Sequence, residues 1–268
     1  MKAKGEKIPM LTAYDYATAR LIDEAGVPLI LVGDSLGMVV LGYESTIPVT
    51  IDEMLHHTKA VVRGTNRAMV IGDMPFMTYH ANISDALYNA GRFLQEGGCQ
   101  SVKLEGGEPM AEVVRRLVQC GIPVMGHIGL TPQSINQLGG FKVQGKSAEA
   151  AVQLVKDAIA LEQAGAFSIV LESIPTPLGK IISEKVNIPT IGIGAGPYCD
   201  GQVQVVSDLL GLFTDFVPKH AKRYAKLFET IGKSVTDYVG EVKAGTFPTE
   251  KEGHAMDESL LAGLEKEL

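Results

Sequence analysis

The chain predicts an α/β protein, a single-domain (β/α)8 TIM barrel, from three observations. Short β-rich apolar runs recur along its length. They are continuous rather than alternating, as suits parallel strands covered on both faces, and the stretches between them carry helical signals. Eight such units within about 220 residues match the number and size of a (β/α)8 barrel. A doubly wound open sheet is the alternative, because local pattern does not reveal closure.

The first run is Ile8 to Thr12, followed by a helical stretch that Gly26 ends before the second run, Leu29 to Asp34. Thr50 with Glu53 forms a capping box that opens the helix ahead of the third run, Ala68 to Asp73. Gly97 with Gly98 precedes the fourth run, Ser101 to Glu105, and Gly121 precedes the fifth, Pro123 to Gly129. Val152, Val155 and Ile159 mark the inner stripe of a helix that Gly165 ends before the sixth run, Ser168 to Glu172. These glycines suit left-handed caps in short helix-to-strand loops. Thr190 to Ala195 is the seventh run, and Phe213 to Pro218 the weakest, an eighth. "GIGAGP" at 192–197 resembles a phosphate loop but lacks the Walker Lys-Ser/Thr and the full dinucleotide fingerprint, so it reads as a tight turn at the barrel rim. No linker stands out before about Gly245. The expected organisation is a catalytic barrel over 1–248 and a polar C-terminal tail over 249–268.

Composition narrows the function. With 46% hydrophobic and 21% charged residues among 268, the chain has the balance of a globular protein with a large core. No apolar run approaches the roughly 18–20 residues that span a bilayer, and the Met1-Lys-Ala-Lys start lacks the core of a signal peptide, so the expected location is the cytoplasm. A net charge of −7 and the absence of Trp disfavour nucleic acid and anionic membranes as partners and favour a small-molecule site. Cys99, Cys120 and Cys199 lack CxxC spacing and read as buried small hydrophobes. His56 and His57 are adjacent on an expected surface helix and do not share a face, which argues against a two-histidine metal site.

The strand exits carry the chemistry. The second run ends at Asp34, the third at Asp73, the fourth at Glu105 with Lys103 two before it, the fifth carries His127, and the sixth ends at Glu172. One such acid is ordinarily a turn former. Five successive strands bearing ionisable groups near their C-terminal ends point instead to the face where the βα loops of a parallel barrel build an active site. Lys103 and Glu105, two apart, share a side of their strand. Asp34, Asp73 and Glu105 brought together would repel unless a cation sat among them, and hard oxygen donors without cysteine favour Mg²⁺ or Mn²⁺ over zinc. Lys103 would meet a substrate carboxylate. A metal, a cation and acids in one pocket suit enolisation of a 2-oxo acid, with Glu172 as the base that takes a proton from carbon. His127 is expected to hydrogen-bond substrate or to support that base. Lys103 as a Schiff-base lysine is the rival in the same fold.

Nine co-linear segments, "LTAYDY", "LVGDSLGM", "STIPVTIDEM", "DMPFMTY", "VKLEGG", "GHIGLTPQS", "GGFKVQG", "VLESIP" and "IGIGAGPYCDGQV", resemble the ketopantoate hydroxymethyltransferase family from about residue 8 to residue 248. The resemblance implies a phosphoenolpyruvate/pyruvate-type barrel assembled as a homo-oligomer, often a decamer. It also implies transfer of a one-carbon unit from 5,10-methylenetetrahydrofolate to 3-methyl-2-oxobutanoate, giving 2-dehydropantoate for pantothenate synthesis. By the same likeness Asp34 and Asp73 are direct Mg²⁺ ligands and Glu105 the third acid of the metal site. Asp34, Ser35, Asp73 and Lys103 contact the oxo acid, Glu172 is the proton acceptor and His127 the pocket histidine. The alternatives are a related Mg²⁺-dependent 2-oxo acid lyase or mutase, and a non-catalytic protein that binds metal and oxo acid.

Overall fold

A computed structural model describes residues 1–214 and 216–264. Eight parallel strands close into a barrel in chain order: β1 (Ile8–Thr12), β2 (Leu29–Val32), β3 (Met69–Asp73), β4 (Ser101–Glu105), β5 (Val124–Gly129), β6 (Ser168–Glu172), β7 (Thr190–Ile193) and β8 (Gly201–Gln204). β8 pairs with β1 through Ile8↔Gly201 and Met10↔Val203, so closure replaces the open-sheet alternative. The helices are α1 (Tyr16–Glu24), α2 (Leu36–Val39), α3 (Ile51–Arg63), α4 (Ile83–Arg92), α5 (Ala111–Gln119), α6 (Ile135–Leu138), α7 (Ala148–Gln163), α8 (Thr176–Lys185), α9 (Val206–Leu209), α10 (Leu227–Ala244) and α11 (Glu258–Leu264). Among the described residues no helix is long and apolar enough to cross a membrane.

Two apolar clusters divide the core. The larger lies between the strands and the surrounding helices. The smaller fills the barrel interior with Ile8, Met10, Leu31, Ile71, Met125, Val170, Ile191 and Val203, the side-chain plug that makes such a barrel a packed core rather than a pore. Because strand side chains alternate, the residue two beyond each plug residue also points inward. Asp73 follows Ile71, His127 follows Met125 and Glu172 follows Val170. The apolar plug is thus the floor on which the polar site stands.

Local signals in the chain explain most boundaries. The Thr50–Glu53 capping box is formed in both directions at the start of α3. Gly26, Gly98, Gly121 and Gly165 take positive φ before their strands, whereas Gly97 does not. On α7 the buried positions are Ala158 and Leu161, and Val152 is 54% exposed, so the inner stripe is rotated from the one expected through Val152. Cys99 and Cys199 are buried but Cys120 is exposed.

The eighth strand is the main correction. Asp215, inside the run expected as a strand over Phe213–Pro218, lies outside the described residues, and the residues described around it form no strand. The sheet closes earlier, on "GQVQ". This segment alternates, with Gln202 exposed and Val203 buried, and only the loop 194–200 separates it from β7, too short for a crossover helix. A search for continuous apolar runs spaced by helices passes over it. Gly201 is required there: a Cβ would lie 2.3 Å from the Ile8 carbonyl oxygen. Beyond the barrel, α10 contains no buried residue, and Phe228, Ile231, Val235, Tyr238 and Val242 are exposed along it.

Candidate active site

The C-terminal ends of the strands surround a cavity of about 710 Å³. Asp34, Ser35, Asp73, Lys103, Glu105, His127 and Glu172 all line it. Asp34, Asp73, Lys103, Glu105 and His127 are each at most 4% exposed. Burying so many ionisable groups without mutual pairing would be prohibitive, and sheet register supplies that pairing. Asp73 and Lys103 are cross-strand partners, as are Glu105 and His127.

Lys103 Nζ donates to Asp73 Oδ1 at 2.6 Å and lies 3.7 Å from Glu105 Oε1. Burial alone would pull the lysine down, but Asp73, Glu105 and Asp34 outweigh it and hold the ammonium well above its ordinary value. A Schiff-base lysine needs a neutral amine, so this environment disfavours the aldolase rival. Asp34 sits just past β2, where its backbone N–H donates to Asp73 Oδ2 at 3.2 Å. Burial raises the pKa of both aspartates: Asp73 adds repulsion at Asp34, and Glu105 at Asp73. At Glu105 burial is outweighed by His127 and Lys103, which hold its carboxyl low.

His127 stands between two acids, with Nδ1 3.5 Å from Glu105 Oε1 and Nε2 3.3 Å from Glu172 Oε2. Neither approach has hydrogen-bond geometry, and both ring nitrogens are buried without a partner. Burial and Lys103 oppose its charge, yet the two carboxylates prevail and raise its pKa to about 9. Glu172, at the end of β6, is more open than the others, its side chain 16% exposed. Its position depends on a tight crossing beside it: Gly129 has φ +95°, and a Cβ there would meet the Glu172 carbonyl oxygen at 2.2 Å. The next residue, Ser173, holds φ 48°, a strained conformation for a non-glycine residue, of the kind found at functional sites. Ser35 shares a 2.9 Å hydrogen bond with the Tyr14 hydroxyl.

Among the described residues no three or more His, Cys, Asp or Glu side chains form a ready metal cage. The Lys103 ammonium occupies the middle of the acids. Four carboxylates, Asp34, Asp73, Glu105 and Glu172, still face Lys103 and His127, and Glu105 Oε1 is buried without a hydrogen bond. That donor set fits a hydrated divalent ion held by one or two carboxylates, the way Mg²⁺ is ordinarily bound, with Asp34, which has no ammonium in direct contact, the least compensated and Asp73 beside it.

Two residues of the site carry no sequence signal of function. Gln133, 3% exposed, and Tyr79, 0% exposed, hydrogen-bond to each other and to the acids. Gln133 belongs to "LTPQS", yet a neutral amide in a turn has no periodicity or charge to mark it. Away from the site, His57 Nδ1 hydrogen-bonds the Tyr14 carbonyl at 2.6 Å.

Comparison with known proteins agrees with this geometry. The profile of the ketopantoate hydroxymethyltransferase family matches residues 1–250. A protein of Dehalococcoides mccartyi strain 195 named 3-methyl-2-oxobutanoate hydroxymethyltransferase is 65% identical over 266 residues, 99% of this chain and 94% of its own. A Clostridium botulinum (strain Langeland) protein of the same name is 60% identical, over 97% of this chain and 95% of its own. Among solved structures, 2,3-dimethylmalate lyase, of the PEP mutase/isocitrate lyase superfamily, superposes with a TM-score of 0.61 at 15% identity, covering 99% of this chain and 93% of its own. A full-length family match, relatives this similar and a closed barrel with its acids at the strand exits lead to one assignment: the chain belongs to the ketopantoate hydroxymethyltransferase family.

Proposed function

We propose that this chain is a 3-methyl-2-oxobutanoate hydroxymethyltransferase that uses 5,10-methylenetetrahydrofolate as donor and Mg²⁺ as cofactor, acting at the opening step of pantothenate synthesis. The observation that carries this reading is the convergence of Asp34, Asp73, Lys103, Glu105, His127 and Glu172 on one cavity in a chain of this family. Asp34 and Asp73 would hold the metal, with Glu105 as the third acid beside it. When bound, Mg²⁺ would offset the negative charge that develops on the oxo acid as it enolises.

The remaining steps belong to the chain. Lys103, already an ammonium, pairs with the substrate carboxylate, and Ser35 presents its hydroxyl beside Asp34. Glu172, on a separate strand and nearer the opening, takes the C3 proton. His127, which lies between Glu105 and Glu172 with Nε2 3.3 Å from Glu172 Oε2, places a positive charge beside the base carboxylate that partly balances the acids. The C3 carbon then attacks the methylene carbon of the donor; of its two carbon–nitrogen bonds, one breaks as the carbon–carbon bond forms and the other as water adds the hydroxyl oxygen, each electron pair returning to its folate nitrogen, and the two nitrogens take up the proton removed from C3 and one proton of the water. The products are 2-dehydropantoate and tetrahydrofolate.

Exchange of the C3 proton of 3-methyl-2-oxobutanoate into D₂O tests the reading, because enolisation needs metal, base and substrate but no folate. Exchange that requires Mg²⁺, stops with chelator and leads to product only with the folate supports it. Absence of exchange would reduce the protein to a binder, and carbon–carbon cleavage without folate would favour a lyase. The same family likeness supports a homo-oligomer, in which a second copy covers the exposed apolar residues of α10. A monomeric mass by light scattering would refute that part.

A further inference from the structure

Gln133 is hydrogen-bonded at every polar atom that faces the site. Its Nε2 donates to Asp34 Oδ2 and to the Met74 carbonyl, both at 2.9 Å. Its Oε1 accepts from the Tyr79 hydroxyl at 2.6 Å. Its backbone N–H donates to Glu105 Oε2 at 3.0 Å. The Tyr79 hydroxyl in turn accepts the Glu105 backbone N–H at 3.1 Å. The amide orientation is determined by chemistry: the Met74 carbonyl can only accept, so the NH₂ must face it and Asp34 beside it, and the phenol then has the amide oxygen to donate to.

The consequence reaches both acids. One oxygen of Asp34 and one of Glu105 are occupied by Gln133, so in each carboxylate the second oxygen is left for the cavity, and neither group can rotate without breaking a buried hydrogen bond. Tyr79 locks Gln133 from behind and ties it to the strand that bears Glu105. Asp73 receives no such support from this pair: its oxygens meet Lys103 and the Asp34 backbone. From this we infer that Gln133 and Tyr79 form a positioning pair that sets the aim of the Asp34 and Glu105 carboxylates toward the divalent ion. The inference rests on the metal-dependent reading above and extends it to two residues that touch neither substrate nor ion.

Outer partners of this kind ordinarily change metal affinity or activity ten- to hundredfold. Mn²⁺ binding, followed by electron paramagnetic resonance on the whole protein without substrate, is the readout, beside C3 exchange titrated with metal. Gln133→Met keeps side-chain length and removes the amide; it should weaken Mn²⁺ affinity about tenfold or more. Exchange at saturating metal should return to within severalfold of the wild-type rate. Tyr79→Phe removes one hydroxyl and should move the same quantities in the same direction by a smaller factor, about three- to tenfold. Combined, the two changes should fall short of the product of the single effects, because they remove one unit.

A fall in melting temperature with Mn²⁺ affinity and exchange unchanged in both variants would make the pair structural only and overturn the inference. If Gln133→Met does not fold, Tyr79→Phe decides by the same measure. Wild-type protein that neither binds Mn²⁺ nor exchanges would remove the functional reading and this inference together, an outcome distinct from the first.

Discussion

Asp23 and Asp34 stand on either side of β2 in the chain, equally buried at 3% and 4% exposure, and the fold treats them in opposite ways. At the N-terminal end of the barrel, the Asp23 carboxylate accepts the backbone N–H groups of Asn66, Arg67 and Ala68 at 3.1, 3.0 and 2.7 Å. Burial pushes its pKa up, but the three donors outweigh burial and hold it below the usual carboxylate value. At the other end Asp34 has one side-chain donor, Gln133, and two acids for neighbours, and its pKa is driven well above that value. One aspartate is saturated and serves the entry to β3. The other is left short of positive charge, the condition under which a site gains by taking up a cation.

The contrast is sharpest at the catalytic end. Glu172→Gln should lower C3 exchange by on the order of a hundredfold or more, the scale of general-base catalysis, with the melting temperature near that of wild type; unchanged exchange would withdraw the role of Glu172. At the opposite end, Asp23→Ala should cost about 2 kcal/mol of stability by stranding buried N–H groups, while exchange per folded molecule stays at the wild-type level. Lost exchange in protein shown to be folded would erase the distinction between the two ends. Asp34→Asn, by removing a crowded charge, should stabilise the metal-free protein by on the order of 1 kcal/mol while Mn²⁺ affinity falls, the stability–function trade-off expected at a binding site. A clear loss of stability in chelator would show that Asp34 is as well satisfied as Asp23.

The smallest expected effect is in acid. Asp23 has a folded pKa below its unfolded one, so its contribution is present above the unfolded value of about 4 and is lost as pH falls through the folded value. The stability difference between wild type and Asp23→Asn, from urea melts between pH 5 and pH 2.5, should therefore shrink toward zero. A difference independent of pH would remove the charge from the account.

Much of this arrangement was legible in the chain, for a physical reason. Inward parity is a property of strands, so Ile71 and Asp73, Met125 and His127, or Val170 and Glu172 announce both a plug and the acid or base above it before any coordinates exist. The continuous runs marking seven of the eight strands express burial on both faces. What stayed hidden depends on contacts distant in sequence. β8 is short, polar on alternate residues and reached without a helix, so its identity as a strand comes from the edges of β7 and β1 that await it. Gln133 and Tyr79 are 54 residues apart and acquire meaning only when the loop after β5 folds against the one after β3. The central place of the Lys103 ammonium among the acids was likewise invisible, because spacing says which side chains share a face but not which one stands in the middle.

The cross-strand rungs Asp73↔Lys103 and Glu105↔His127 have one further consequence. Opposite charges set on adjoining staves of a closed cylinder cannot slide apart unless the hoop itself opens, so the chemistry inherits the rigidity of the most constrained part of the molecule. Evolving a taste for another reactant must then fall to the segments above the rim, while the ionic floor stays as it is.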